Sequence, residues 1–325
     1  MKLPRRQFLH LAAGAAALPG VSRVARAQAY PSRPMRWIVG TAPGGSQDIL
    51  ARLMGQWLSE RLGQPIVIEN RPGAGTNIAT EAVVRSPPDG HTLLLVGSPN
   101  TINATLYDKL NFVFLRDIVP VASLVRQPQI ILANPSVSAS TVPELIAYAK
   151  ANPGKVTMAS AGIGSTGHLA GELFKMIAGV DFVHVPYRGA GPALTDLLGG
   201  QVLISFAGAA GSIEYIKTGK LRAFAVTTAT RLEELPDLPA VAEFVPGYEA
   251  VSLFGVGAPK DTSTAIVDKL NREIAAALTD PKIKARFADL GGTALALTSA
   301  EFGKLLAEET EKWGKVIRAA NIKPE

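Results

Sequence analysis

The sequence predicts an α/β protein of two lobes, each a mostly parallel sheet flanked by helices. Short apolar segments alternate with amphipathic helical patterns, and this alternation is typical of parallel strands joined by right-handed crossovers. It occurs in two successive runs that are separated near Pro120. The 325-residue chain is 47% hydrophobic, so it has enough apolar residues for two separate cores.

The first run begins with an apolar segment at 36–40, after which Ser46 caps a helix. Apolar residues from Ile49 to Leu58 recur at steps of three and four, the spacing of one helix face, and Gly63 ends the pattern. The unit is completed by a strand at 66–69, a Gly-rich loop at 70–76, a helix to about 85 and a strand at 92–96.

The second run opens with a capping box at Thr141 and Glu144, and its first helix ends at 152–154. Three further helices are expected at 166–178, 192–198 and 212–218, between strands at 156–159, 182–185, 202–206 and 221–226.

The C-terminal part has a short strand near 253 and then three helices, which begin after Ser263, at Asp280-Pro281 and at Thr298. Because it contains few strands, we expect it to rejoin the first lobe. This predicts a first lobe of residues 28–127 plus 253–325 and a second lobe of residues 128–252.

Residues 1–27 have the pattern of a signal peptide that is removed on export. Basic residues precede an Ala/Leu-rich run at 9–18, and Ala25-Arg26-Ala27 offers the small residues that a signal peptidase recognises. The pair Arg5-Arg6 leaves two routes open, general secretion and twin-arginine export. The apolar run is too short to span a bilayer and no later one is long enough, so no membrane anchor is expected.

Charge and cysteine content exclude several classes of function. The formal net charge is +6, but five of these charges lie in the predicted leader, which leaves +1 for the remainder. Without a basic excess, nucleic acid is not an expected ligand. The chain has no cysteine, which excludes disulfides, thiol catalysis and lipid attachment to an N-terminal cysteine.

The stretch Ser160–Leu169 is the most informative candidate site. An apolar strand ends there in small residues and runs directly into an amphipathic helix. Glycine lets backbone N–H groups turn towards one point, and the free N–H groups of the first helical turn add the positive end of the helix dipole. No nucleophile, base or metal cluster accompanies the stretch, so the pattern favours binding of a small carboxylate over catalysis.

Ligands of such sheets bind beyond the carboxyl ends of the strands, and here those ends are Gly-rich. We therefore expect one wall of the site in the first lobe and the other in the second. The expected first wall is Gly44, Gly45, Ser46, Asp48, Gly73, Ala74, Gly75 and Ser98. The expected second wall is Ser160, Ala161, Gly164, Ser165, Thr166, His168, Arg188, Gly189 and Ala207.

Two enzymatic interpretations of this stretch remain open at this level. Gly162, Gly164 and Gly167 match the dinucleotide fingerprint Gly-x-Gly-x-x-Gly, which would fit an exported NAD(P)-binding oxidoreductase, although the next strand ends without an acid for the ribose. Ser165 with His168 could suggest a hydrolase, but a helix cap is commoner. The mature histidines lack metal-ligand spacing, and His184 is expected in the core, so neither a metal nor a cofactor is expected.

Several ordered motifs resemble the extracytoplasmic solute receptors of tripartite tricarboxylate transporters, the Bordetella uptake gene family. The motifs include Pro43-Gly44-Gly45, Asn70-Arg71-Pro72-Gly73-Ala74-Gly75, Pro88-Asp89-Gly90, Asn152-Pro153-Gly154-Lys155 and His184-Val185-Pro186-Tyr187-Arg188-Gly189. The resemblance implies a monomeric periplasmic receptor with type II, Venus flytrap architecture and no enzymatic activity. It further implies hinge closure on a carboxylate held by backbone N–H groups, and delivery to a permease of two different subunits.

The chain departs from the family pattern in the expected pocket. Ser46-Gln47 replaces a glycine and a threonine, Thr76 replaces a glycine, and Leu253 replaces a frequent tryptophan. Ala207 stands where an acid is common, and an acid there could pair with an ammonium group. The ligand is therefore expected to lack an amine, which favours a di- or tricarboxylate or an aromatic acid over an amino acid.

Overall fold

The computed structural model describes residues 30–44, 46–209, 211–232 and 235–324. The predicted signal peptide and Gly45 of the expected first wall lie outside these residues. In the described part, the strands are β1 (Met35–Val39), β2 (Ile66–Asn70), β3 (Thr92–Gly97), β4 (Ile118–Ala133), β5 (Thr157–Ser160), β6 (Val183–Pro186), β7 (Ile204–Gly208), β8 (Arg222–Val226), β9 (Val251–Pro259) and β10 (Thr293–Ala294).

The helices of the same residues are α1 (Ser46–Leu62), α2 (Asn77–Val84), α3 (Ser98–Leu106), α4 (Phe114–Asp117), α5 (Val142–Ala151), α6 (Thr166–Ala178), α7 (Ala190–Leu198), α8 (Ile213–Lys217), α9 (Thr264–Thr279), α10 (Pro281–Asp289) and α11 (Ser299–Ala319). Two predicted caps are confirmed, since Thr141 accepts the amide of Glu144, and Thr298 forms a capping box with Glu301. None of these helices is long and apolar enough to cross a membrane.

The sheet is mixed, with the order β2-β1-β3-β9-β4-β7-β5-β6 and with β8 and β10 also paired to β4. The outer strands are parallel, as the alternating pattern predicts, because β1 pairs in parallel with β2 and β3, and β5 with β6 and β7. The central strands β4 and β9 pair antiparallel with each other and with their neighbours. Helices α3 and α4 lie between β3 and β4, so the alternation of helices and strands did not reveal that β4 and β9 run antiparallel to their neighbours.

Strand β4 is a 16-residue strand shared by the two lobes, which the sequence analysis did not predict. Its first part pairs with β9 as far as Pro128, and its second part pairs with β7 from Gln129 onward. The partner therefore changes within one residue of the expected lobe boundary at 127/128. This change supports the expected division into lobes, which stays a prediction.

Helix α11 packs on both lobes rather than on the first alone. Its Phe302 and Leu306 belong to a buried cluster of the first lobe with Ile38. About two turns further on, Trp313 and Ile317 belong to the main cluster of the second lobe. The helix thus forms a third connection between the lobes, besides β4 and the chain entering β9.

Candidate functional site

A cavity of about 310 Å³ lies where the two lobes meet. Most of its lining comes from the second lobe, from the segments 161–167, 190–194 and 205–212. Ser46 and Leu290 contribute from the first lobe, and Gln127 and Gln129 of β4 line it between the two. The volume is near the lower end of the range for small-molecule sites, so it suits one small ligand.

Three helices begin at this cavity. Ser46 opens α1, Thr166 and Gly167 open α6, and Ala190 opens α7, and all four line the cavity. Among the described residues, the amides of Thr166 and Gly167 have no acceptor. Free amides at a helix N-terminus attract an anion, and each such helix end contributes about 0.3–1 kcal/mol to its binding.

The loop before α6 is shaped by glycines. Gly162 and Gly164 have φ of 127° and 76°, a region that favours glycine, and the amide of Ser165 donates to the carbonyl of Gly162 over 3.1 Å. Gly167 has a different role, because a Cβ atom there would lie 2.2 Å from the carbonyl oxygen of Phe206. The three glycines of the dinucleotide fingerprint are thus explained by a turn and by close packing of α6 on β7.

Two stacked histidines lie behind this loop. The rings of His168 and His184 are 3.7 Å apart between centroids and inclined by 9°. The amide of Gly164 donates to His168 Nδ1 over 3.2 Å, and Ser160 Oγ is hydrogen-bonded to His184 Nε2 at 2.7 Å. Burial, with the neighbouring His184 and Lys175, lowers the pKa of His168 to about 3, and burial also lowers the pKa of His184 to about 4. Both rings are therefore neutral near pH 7 and hold the loop by hydrogen bonds.

Asp48 fixes the opposite loop rather than lining the cavity. Its Oδ2 accepts the amide of Gly44 and the Nε of Arg52, each over 2.9 Å. These hydrogen bonds, above all that from Arg52, lower the pKa of Asp48 to about 2, so it is ionised near neutral pH. Asp48 thereby ties the turn before α1 to the first turn of that helix.

The structure brings part of the expected site together. Ser46, Ala161, Ser165, Thr166 and Ala207 line the cavity. Ser160, Gly164 and His168 support the loop from behind, and Gly164 packs against Leu106 of α3. Whether the five lining residues contact a ligand stays a prediction.

The other expected residues that the structure describes do not line the cavity. Ser98 accepts the amide of Leu253 through its Oγ, over 2.9 Å, and is buried. Gly73, Ala74 and Gly75 belong to a tight turn held by Asn103. Gly44, Arg188 and Gly189 are likewise outside the lining, and Arg188 is exposed.

Some lining residues were missed, among them Gln127, Gln129, Leu194, Ser212 and Leu290. The two glutamines did carry a signal, because they are two positions apart in an apolar run and so share one face of a strand. Leu194 and Leu290 carried no such signal, because a leucine within a helix or directly after one is usually a core residue.

Comparison with known proteins bears on the class of this site. Residues 50–322 match the sequence model described as tripartite tricarboxylate transporter family receptor. The chain is 37% identical to protein BugT of Bordetella pertussis over 310 residues, which are 94% of this chain and 95% of that protein.

Solved structures similar to this one include two with bound acids. R. palustris Rpa4515 with adipate has a TM-score of 0.81 and 36% identity over 91% of this chain and 100% of that chain. MatC from Rhodopseudomonas palustris with bound malate has a TM-score of 0.77 and 31% identity over 89% and 100%. Periplasmic binding protein BugD has a TM-score of 0.77 and 33% identity over 91% and 100%. The predicted periplasmic-binding-protein fold is thereby confirmed.

Proposed function

The chain belongs to the tripartite tricarboxylate transporter receptor family, and on this premise we propose that it is a periplasmic receptor that captures a small carboxylate and delivers it to a permease of two different subunits. Family members with bound adipate and malate support binding of an organic acid. The delivery step rests on the family to which the chain belongs. We further propose that the receptor acts as a monomer.

One observation carries the proposed capture of a carboxylate. The described residues that line the cavity include no ionisable side chain, and the first turns of α1, α6 and α7 open onto it. A carboxylate that accepts hydrogen bonds from free amides needs no cationic side chain, because each charge-assisted bond contributes about 1.5–3 kcal/mol. The free amides of Thr166 and Gly167 are the best-placed donors for this purpose.

The lining residues also indicate which charges the ligand carries. An amino acid would bring an ammonium group into a cavity whose described lining residues include no carboxylate to pair with it, with Ala207 at the position where an acid was expected in the family. A buried unpaired charge is costly. We therefore propose an organic acid without an amine.

Hinge closure is the proposed mechanism of capture. Ser46 and Leu290 line the cavity from one lobe and the 161–167 segment from the other, with β4 running between them. A ligand that contacts both sides binds the closed state more tightly than the open state. It therefore shifts the population towards closure by that difference in affinity alone.

The substitution Thr166→Pro tests the proposed amide donor. Proline is well tolerated at the first position of a helix, and the preceding Ser165 has φ −69° and ψ 155°, which a residue before proline readily adopts. The change removes the N–H and leaves the helix in place. Calorimetry with the organic acid that the wild-type protein binds should show a loss of roughly 10- to 100-fold in affinity, at an unchanged melting temperature.

The matched control is Thr166→Ala, which removes the hydroxyl and keeps the N–H. It should retain most of the affinity that Thr166→Pro loses. Equal affinity of the wild-type and proline proteins would contradict capture by this amide, and failure of the wild-type protein to bind any small organic acid would contradict the proposed function itself.

No observation favours the alternative of an NAD(P)-binding oxidoreductase. The glycine spacing that suggested it is accounted for by the turn at Gly162 and Gly164 and by the contact of Gly167 with β7. The solved relatives with bound adipate and malate support a receptor instead.

A further inference from the structure

Four buried polar side chains line the cavity on the side of β4 and β7. Gln127 and Gln129 are two positions apart on β4 and so share one face of that strand, and Ser205 and Ser212 also belong to the lining. All four residues are at least nine-tenths buried. A ligand that fills the cavity removes their polar atoms from water, so any of these atoms left without a partner weakens its binding.

The two serines act towards a ligand as hydrogen-bond acceptors. The hydroxyl of Ser205 donates to the carbonyl of Ala159 over 3.0 Å, and that of Ser212 donates to the carbonyl of Gly208 over 2.9 Å. A hydroxyl has a single hydrogen, so each serine uses its own within the protein. The lone pairs of both oxygens remain for a donor of the ligand.

Gln127 has an amide of fixed orientation. Its Nε2 donates to the carbonyl of Leu290 over 2.8 Å, and because a carbonyl only accepts, this bond identifies the nitrogen and hence the oxygen of the amide. No described residue donates to Gln127 Oε1, and this oxygen is not among the atoms that are shielded from solvent without a partner. It is therefore available to accept a hydrogen bond in the cavity, and the second N–H of the amide stays available as a donor.

Gln129 can serve as a donor or as an acceptor. Its Nε2 donates to Ser252 Oγ over 3.2 Å. Since a hydroxyl can donate as well as accept, the amide can flip and keep a hydrogen bond to Ser252. Gln129 therefore adapts to the ligand, whereas the amide of Gln127 imposes a requirement on it.

The fixed groups of this wall include more acceptors than donors. The acceptors are Gln127 Oε1 and the oxygens of Ser205 and Ser212, and the donor is the second N–H of Gln127. The first turn of α6 has the opposite character, because the amides of Thr166 and Gly167 only donate. A ligand that matches both regions has a carboxylate, which only accepts, and a second group that donates. A hydroxyl group donates without adding a charge.

We propose that Gln127 determines the specificity of the site by accepting a hydrogen bond from a ligand hydroxyl, so that the ligand is a hydroxylated carboxylic acid. This inference rests on the proposed function and narrows its substrate class. The carboxylate binds at the first turn of α6, and the hydroxyl donates to Gln127 Oε1. An acid of the same shape without the hydroxyl leaves this buried oxygen without a donor and binds more weakly.

Acids that differ by one hydroxyl group test the inference. Malate is compared with succinate, citrate with tricarballylate, lactate with propionate and 4-hydroxybenzoate with benzoate, by calorimetry on the protein without its predicted leader, and aspartate is added as the ammonium counterpart of malate. The acid that binds most tightly should carry a hydroxyl, and its partner without the hydroxyl should bind at least about tenfold more weakly.

Two results would overturn the inference and leave the proposed function standing. One is that the tightest-binding acid has no hydroxyl, whether it is a simple carboxylate or aspartate. The other is a difference of less than about tenfold between the tightest-binding acid and its partner. Absence of binding by every acid would overturn the proposed function together with the inference.

The substitution Gln127→Met tests the residue itself. Methionine has a similar length and no amide. The variant should lose at least about tenfold in affinity for the tightest-binding hydroxylated acid and less than about threefold for its partner, so that the preference for the hydroxyl disappears. A purely structural role of Gln127 would lower both affinities equally, and that result would overturn its assignment. The acid pairs on the wild-type protein decide the inference even where this variant does not fold.

Ser123→Ala is a matched control for loss of stability. Ser123 is a buried residue of the same strand that is outside the lining, and its Oγ is hydrogen-bonded to the carbonyl of Leu295 and to the amide of Leu297. The variant should have a lower melting temperature and keep the wild-type preference for the hydroxyl. An equal change of preference in the Ser123 and Gln127 variants would overturn the role of the Gln127 amide.

Discussion

At the scale of single residues, the candidate site depends on neutral side chains that hold backbone in place. His168 and His184 stack on each other and fix the loop through Gly164 and Ser160. The charged groups nearby are Glu172, whose Oε1 is 3.9 Å from His168 Nε2, and Lys175, which pairs with Glu172 and Asp181. Protonation of either imidazole ring would place a positive charge in a buried site near Lys175. The folded protein therefore resists protonation of the two histidines.

This resistance predicts a pH-dependent stability. The pKa values of the two histidines in the folded protein, about 3 and about 4, are below the value near 6.5 in the unfolded protein. The contribution of the neutral pair to the free energy of unfolding is therefore complete above pH 6.5 and is lost as the pH falls towards 4. The free energy of unfolding should fall by up to about 1.4 kcal/mol per pH unit for each histidine below pH 6.5. Urea unfolding at pH 7 and pH 5 measures this loss.

The double variant His168→Gln with His184→Gln provides the control. It has no group at these positions that titrates between pH 7 and pH 5, so its stability should vary much less over that interval. The strongly paired carboxylates Asp48 and Asp117 have pKa values of about 2. They change the stability mainly at lower pH, so they have little effect on the difference between pH 7 and pH 5. The same slope in both proteins would show that the histidine pair is not the cause.

At the scale of elements, the N-terminus of α6 reaches the cavity because the helix lies very close to β7. A Cβ at position 167 would be 2.2 Å from the carbonyl oxygen of Phe206, and one at position 171 would be 2.1 Å from Met158 Sδ. Glycine at these positions therefore lets the helix axis approach β7 at Phe206 and β5 at Met158. This close approach, and not the charge of any side chain, positions the amides of Thr166 and Gly167.

The substitution Gly167→Ala should therefore displace the first turn of α6. We expect a loss of about 1–3 kcal/mol in stability from the overpacked contact, and at least about a tenfold loss in affinity for the bound acid. Thermal unfolding and calorimetry measure the two effects.

Gly191→Ala is a matched control in the first turn of α7. Nothing lies within 4 Å of a Cβ atom there, so this variant should stay within about 1 kcal/mol of the wild-type stability and keep its affinity. If Gly167→Ala behaved in the same way, the close contact with β7 would not matter for binding.

At the scale of the whole molecule, several contacts connect the two lobes. Strand β4 runs through both, and α11 packs on both. The loop at Gly164 is in contact with Leu106 of α3. A Cβ atom added at position 164 would lie 2.6 Å from Leu106 Cδ2. Under the proposed closure, the lobes move relative to each other about these shared elements.

Distance measurements between spin labels test the proposed closure. The chain contains no cysteine, so Glu60→Cys in the first lobe and Lys155→Cys in the second would be its only thiols, and both positions are exposed. Because the ligand contacts both lobes, adding the acid that binds should shift the distance distribution between the two labels, as measured by double electron–electron resonance.

The same labels in the Thr166→Pro protein serve as the control. At acid concentrations that saturate the wild-type protein, this variant should show a much smaller shift. An unchanged distribution in the labelled wild-type protein with bound acid would contradict hinge closure while leaving binding itself intact.

The sequence by itself determined the features that depend on local chemistry. Periodicity predicted the outer parallel strands and most helices, and the caps at Thr141 and Thr298 are confirmed because a cap depends only on residues three positions apart. The small residues before α6 likewise predicted a turn with free amides, and the ordered motifs indicated the family. Ser165 and Thr166 could be placed in the site for this reason.

Only the tertiary structure decided how distant segments meet. Strand β4 is shared by both lobes, and Leu194 and Leu290 reach the cavity, although nothing in the sequence around these two leucines indicates this. Expected residues such as Gly75 and Arg188 fall outside its lining for the same reason. Local hydrogen bonding and hydrophobic periodicity act over a few residues, whereas a cavity between lobes is formed by packing between residues far apart in the chain.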